Sequence, residues 1–116
     1  SGEQFDKNKL KYAIMIKQPD FITRDIFDLA IKNVREKKPN KLYDEIIFDN
    51  VEGGKAVQIL HIGSFDTEPY SFEKLESFME KHGLLRKIDY HTEIYLSNKN
   101  RTSEENLKTI LRYSVK

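Results

Sequence analysis

The 116-residue sequence contains no cysteine and no tryptophan, and only five glycines and three prolines. Without cysteine there is no disulfide framework, no thiolate chemistry and no Cys-containing metal site. Charge of one sign is lacking too. Twenty Lys and Arg stand against nineteen Asp and Glu for a net +1, so no overall field draws the chain to nucleic acid or to an anionic membrane. The longest apolar runs, such as Ile46-Ile47-Phe48, fall far short of the roughly 20 residues a bilayer-spanning helix needs. No charged segment followed by an apolar one opens the chain in the manner of a signal peptide. These absences describe a soluble, cytoplasmic protein with no direct nucleic-acid partner and no membrane partner. Also missing are a phosphate-binding Walker loop, a G-x-G-x-x-G turn, an H-E-x-x-H helix and a G-x-S-x-G elbow. His61, His82 and His91 fall on different expected elements without ligand spacing, so neither a metal nor a cofactor is expected.

What is present suits one compact domain. Hydrophobic residues make up 38% of the chain, and seven Phe and six Tyr supply core volume; the length matches a single core rather than two. Ser1-Gly2 has the look of a tag remnant, and the polar run behind it lacks any period, so residues 1–9 read as a tag scar and disordered lead-in and residues 10–116 as one domain. From Lys11 to Lys17, Tyr12, Ile14 and Ile16 alternate with Ala13, Met15 and Lys17, which predicts a strand. Gln18-Pro19-Asp20 ends it. Thr23 is a candidate N-cap for a helix to about Lys37, in which Phe27, Ala30, Ile31 and Val34 share one face, Arg35 and Lys37 suit the C-terminal dipole, and Pro39-Asn40 is the stop.

The runs Leu42 to Val51 and Lys55 to Ile62, joined by Glu52-Gly53-Gly54, predict a hairpin whose glycines supply positive φ. Phe72, Leu75, Phe78 and Met79 predict a second helix closed by Gly83. Asp89 to Ser97 reads as a strand with Tyr90, Thr92, Ile94 and Leu96 on one face and His91, Glu93 and Tyr95 on the other. After a loop and a helical turn at Ser103 to Asn106, the alternation of Leu107, Thr109, Leu111, Tyr113 and Val115 gives a last strand. The order β-α-β-β-α-β-β implies an α+β fold, an antiparallel or mixed sheet with two main helices on one face.

Most charged residues are accounted for as solvated faces, including Glu73, Glu76 and Glu80 on the second helix. Two carboxylates stand apart. Glu93 lies inside a strand, where carboxylates are depleted unless the face is wet or the group is used. Glu68 precedes Pro69 at the start of the second helix, where its ordinary role is to complement the helix dipole.

Three segments carry a resemblance: Tyr12-Ala13-Ile14-Met15-Ile16-Lys17-Gln18-Pro19-Asp20-Phe21, Gln58-Ile59-Leu60-His61-Ile62-Gly63-Ser64-Phe65-Asp66-Thr67-Glu68-Pro69, and Tyr90-His91-Thr92-Glu93-Ile94-Tyr95-Leu96-Ser97. With the closing Leu107 to Tyr113, the sequence resembles the GyrI-like small-molecule-binding domain family, nearest the stand-alone bacterial branch that includes cyclopropanoid cyclopropyl hydrolases. That resemblance implies two β-α-β-β units related by a pseudo-twofold axis, with a ligand cleft between them. This chain would be an incomplete repeat, matching the C-terminal part of longer members. A naturally short form, a C-terminal piece and a homodimer that completes its cleft through the strand edge near Tyr12 are the three readings.

The resemblance further implies binding of a flat aromatic or electrophilic small molecule, a role in multidrug binding or xenobiotic detoxification, and Glu68 and Glu93 as catalytic carboxylates that activate water. Tyr95, Tyr43, His61 and Tyr12 are the candidate ligand contacts. The alternatives are a non-catalytic effector module and a gyrase-modulating interaction protein.

Overall fold

A computed structural model of the chain describes residues 11–116; the expected tag scar and lead-in at residues 1–9 lie outside the described residues. The chain divides into two compact units that meet in sequence between Asn50 and Val51.

In the first unit, helix α1 (Arg24–Lys37) forms where its cap and periodicity place it. The Thr23 hydroxyl accepts from the Ile26 amide at 3.3 Å, Asp25 sits in the first turn, and Arg35 and Lys37 sit in the last. None of its residues is fully buried. The two strands expected in this unit do not form. Residues 11–17 pair with nothing among the described residues, and Tyr12, Ile14 and Ile16 are exposed. Alternation makes a strand only where a ladder partner satisfies its backbone.

The run from Leu42 is diverted at its start. The Asn40 side chain accepts from the Leu42 amide at 2.9 Å and opens a 3-10 turn, Lys41–Glu45, that the Arg35–Asp44 ion pair ties to α1. Further on, Phe48 stacks on Phe27 with ring centroids 5.4 Å apart, and its carbonyl accepts from Arg24 at 2.8 Å. Side-chain contacts therefore take up the backbone that a hairpin would pair. Gly53 and Gly54 complete the correction: the positive-φ glycines among the described residues are Gly63 and Gly83, so the tight turn expected at Gly53-Gly54 is absent.

The second unit holds the sheet. Strands β1 (Ala56–Ile62), β2 (Thr92–Tyr95) and β3 (Lys108–Ser114) are antiparallel in the order β1-β3-β2. Ile59, Leu111 and Glu93 share one row across the sheet, and His61, Thr109 and Tyr95 share the next. Helix α2 (Glu68–Lys81) packs on that face: Leu75 and Met79 meet Tyr113 and Val115, with Val57, Ile59, Phe72 and Leu84 around them. Gly83, at φ +64°, reverses the chain after α2, and the Leu84 amide returns to the Met79 carbonyl at 2.8 Å.

The α+β class stands as read, the sheet is antiparallel rather than mixed, and within the second unit α2 covers it. The central strand carries the core, with Leu111 fully buried. Leu111→Ala is expected to lower stability toward urea by about 2–5 kcal/mol, whereas Leu29→Ala, on the open side of α1, shifts it by under about 0.5 kcal/mol. Equal effects would contradict this placement of the core.

Candidate functional site

The two carboxylates singled out in the sequence meet on the helix side of the sheet. Glu93 is on that face because strand alternation places every second residue of β2 there, in register with Leu111. Glu68 arrives from the other layer. Gly63 turns the chain out of β1 at φ +128°, a 3-10 turn (Phe65–Thr67) follows, and Glu68 opens α2 with 9% of its surface exposed.

Glu93 is well provided for. His91 Nε2 lies 3.1 Å from its Oε1, and the Tyr95 hydroxyl donates to its Oε2 at 2.7 Å. Glu68 is not: its Oε2 is buried without a hydrogen-bond partner. An ionised carboxylate can only accept, so two facing carboxylates leave that oxygen orphaned. A proton on Glu68 turns it into a donor, with Glu93 as the acceptor.

Electrostatics favours that assignment. Burial, the charge of Glu93 and the hydrogen bond to Glu93 push the Glu68 carboxyl up to about 7. The helix N-terminus favours ionisation by only about 0.3–1 kcal/mol, too little to reverse the shift. Burial by itself would raise Glu93 as well, but hydrogen bonds from Tyr95, His91 and Glu68 outweigh it and hold Glu93 below the usual carboxylate range. Tyr95 is pushed up to about 12 by burial and by its bond to Glu93, so it remains a donor at neutral pH. At neutral pH one carboxyl thus holds a proton that it can give, while the other is ionised and open to accepting one.

Aromatic rings frame the pair. Phe65 meets the Tyr95 ring edge-on at 5.7 Å, and Phe72 meets the His91 ring at 4.7 Å. Neither phenylalanine was read from the sequence as a site residue, although Phe72 lies four residues beyond Glu68 on the same helical face. A groove between β1 and α2, lined by Val57, Ile59, Leu75 and Phe78, contains neither carboxylate.

Of the expected ligand contacts, Tyr95 is beside Glu93. His61 is in the same unit but 4% exposed, with both ring nitrogens engaged by neighbouring groups. Tyr12 and Tyr43 belong to the first unit, Tyr12 exposed and Tyr43 half-buried in the 3-10 turn after α1. Among the described residues no three His, Asp or Glu side chains gather as a metal shell, and no helix is long and apolar enough to cross a membrane.

Comparison with known proteins identifies the family of the chain. The family model described as the GyrI-like small molecule binding domain matches residues 3–116. The chain belongs to the GyrI-like family. Among solved structures the GyrI-like chain is similar to an uncharacterized conserved protein from Listeria innocua, at TM-score 0.78 and 35% identity over 85% of this chain and 50% of that one. It is similar also to a protein described as a hydrolase from Listeria innocua, at TM-score 0.75 and 33% identity over 85% of this chain and 52% of that one. A third, described as a hydrolase encoded by lin2189 of the same organism, aligns at TM-score 0.74 and 33% identity over 85% of this chain and 50% of that one. The GyrI-like chain spans about half the length of these structures. A search of the curated proteins finds no match.

The carboxyl pair makes a stability prediction for this GyrI-like domain. The folded-state pKa of Glu68 lies above its unfolded value, so its contribution is complete below the unfolded pKa of about 4.5 and is lost as pH rises through about 7. Glu68→Gln, which cannot ionise, is expected to be more stable than the parent at about pH 8 by up to about 3 kcal/mol. The difference should close at about pH 4. Urea unfolding at both pH values measures it, and a variant with no advantage at the higher pH would contradict the assignment.

Proposed function

We propose that this GyrI-like domain binds a flat, electrophilic small molecule against the rings of Phe65, Phe72 and Tyr95, and hydrolyses it with Glu93 as base and Glu68 as acid. The reading rests on one observation: two carboxyl groups of opposite proton affinity on the same aromatic-edged face. Two structural relatives described as hydrolases support it. The substrate class that fits, given the resemblance, is a cyclopropane conjugated to a dienone, as in cyclopropanoid DNA-alkylating compounds; its removal is detoxification.

The chemistry then follows from the two proton affinities. Glu93 takes a proton from water as the water oxygen bonds to the strained ring carbon. The breaking C–C bond sends its electron pair toward the carbonyl oxygen, which receives the proton held by Glu68. One water is added and the ring opens. Glu93 ends protonated and Glu68 ionised, and passage of a proton from Glu93 to Glu68 resets the pair. Tyr95 orients Glu93 and offers its ring face to a flat ligand.

An interaction role, as in a gyrase-modulating protein, draws on a different surface. Leu60, Ile110 and Ile94 share one row on the sheet face away from α2, and Ile62 and Leu96 flank it, with Leu60, Ile62 and Leu96 exposed.

Mass-spectrometric turnover of a cyclopropane-bearing alkylating natural product separates these readings. Ring-opened water adduct is expected from the parent, with Glu93→Gln and Glu68→Gln each reducing the rate by about 10²-fold or more. Glu68→Gln should still bind the compound. Absence of adduct from a parent that binds the compound would remove the catalytic roles and leave a binding module.

A further inference from the structure

His61, expected at the ligand, is placed instead behind the site. It projects from β1 toward α2 and is 4% exposed. Its Nε2 is 2.8 Å from the Ser64 carbonyl and 3.1 Å from Thr67 Oγ1, and its Nδ1 is 2.6 Å from Ser71 Oγ. The Ser64 carbonyl can only accept, so Nε2 carries a proton and Nδ1 accepts from the Ser71 hydroxyl; the tautomer is assigned by these partners. Thr67 Oγ1 donates in turn to the same Ser64 carbonyl at 2.8 Å.

These contacts bracket Glu68. One is to Ser64, which caps the 3-10 turn through its bond to the Asp66 amide at 3.0 Å; one is to Thr67, directly before Glu68; and one is to Ser71, one helical turn after it. Gly63 makes room for the arrangement. A Cβ at that position would lie 3.3 Å from Thr67 Oγ1, at a φ that side chains rarely adopt. The imidazole thus joins β1 to the turn and to the first turn of α2. Because β1 is fixed through β3 to β2, it also ties the backbone of Glu68 to the strand that carries Glu93.

The geometry points to His61 as a positioning residue: acting through Ser64, Thr67 and Ser71, it holds the Glu68 carboxyl against Glu93, and Ser71 is its helix-side partner. This role rests on the reading of the Glu68–Glu93 pair as the working centre, but it is testable without a ligand. The groups facing Glu68 from β2 are Glu93, which raises its proton affinity, and Tyr95 and His91, which bond to Glu93. If the bracket loosens, Glu68 moves away from Glu93 and toward water, and both changes lower its pKa.

The experiment is a ¹³C NMR titration of the glutamate-labelled protein, comparing the parent with His61→Gln, Ser71→Ala and Ser71→Thr, each checked for native circular dichroism. The Glu68 midpoint, about 7 in the parent, should fall by roughly one pH unit in Ser71→Ala and by at least as much in His61→Gln. Ser71→Thr, which keeps the hydroxyl, should restore it. An unchanged midpoint in folded Ser71→Ala overturns the proposal, even if His61→Gln fails to fold. Turnover assays on the same samples keep the two claims apart. A midpoint that moves while no sample shows turnover upholds the positioning role and rejects the hydrolase reading; a fixed midpoint with turnover retained does the reverse.

Discussion

Two carboxyl groups facing one another across a helix and a strand cannot both carry charge cheaply, and the surrounding groups decide which one yields. Glu93 has two donors, His91 and Tyr95; Glu68 Oε2 has none. The unequal supply of donors, more than burial alone, separates the two proton affinities, since both groups are drawn from water yet move in opposite directions. Everything proposed for the site depends on that asymmetry. In the proposed function it supplies an acid and a base from one residue type.

The second unit is built to hold the pair in place. Its central strand is buried at Thr109, Leu111 and Tyr113, so β1 and β2 are aligned on either side of it by continuous hydrogen-bonded ladders. Helix α2 then covers the face with Leu75 and Met79, while its first turn is anchored at His61. A buried imidazole with both nitrogens satisfied costs little to retain and would be expensive to leave half-paired. The anchor therefore adds geometric definition where the helix begins, at Glu68.

The sequence was most legible where local chemistry and tertiary packing agree. Thr23, Arg35 and Lys37 mark α1, Gly83 ends α2, and the alternation from Leu107 to Val115 becomes the buried central strand. It misled where alternation had no partner. Tyr12, Ile14 and Ile16 have a strand's period, but pairing is a tertiary property that period does not contain. The Asn40 cap and the Arg24 bond to the Phe48 carbonyl are likewise side-chain events that divert the backbone from the hairpin its composition suggested.

Within the site, pattern alone gave Glu93 modest weight and Glu68 almost none; family resemblance brought them forward together. What neither could show is that the charged face of β2 is the face toward the helix, or that His61 is bonded into the framework behind Glu68. Phe72 was readable as a helical neighbour of Glu68, whereas Phe65 depended on the path of the turn. The first unit shows the opposite case, an amphipathic helix well specified by its own sequence yet without a fully buried residue.

The acid and base roles require that one proton reside on Glu68 while Glu93 is ionised. Isotope-edited infrared spectroscopy of glutamate-labelled protein at about pH 6, where ordinary carboxyl groups are ionised, tests it most directly. The carbonyl stretch of one protonated carboxyl group is expected in the parent, and its loss in Glu68→Gln. A parent spectrum with carboxylate bands alone would contradict it.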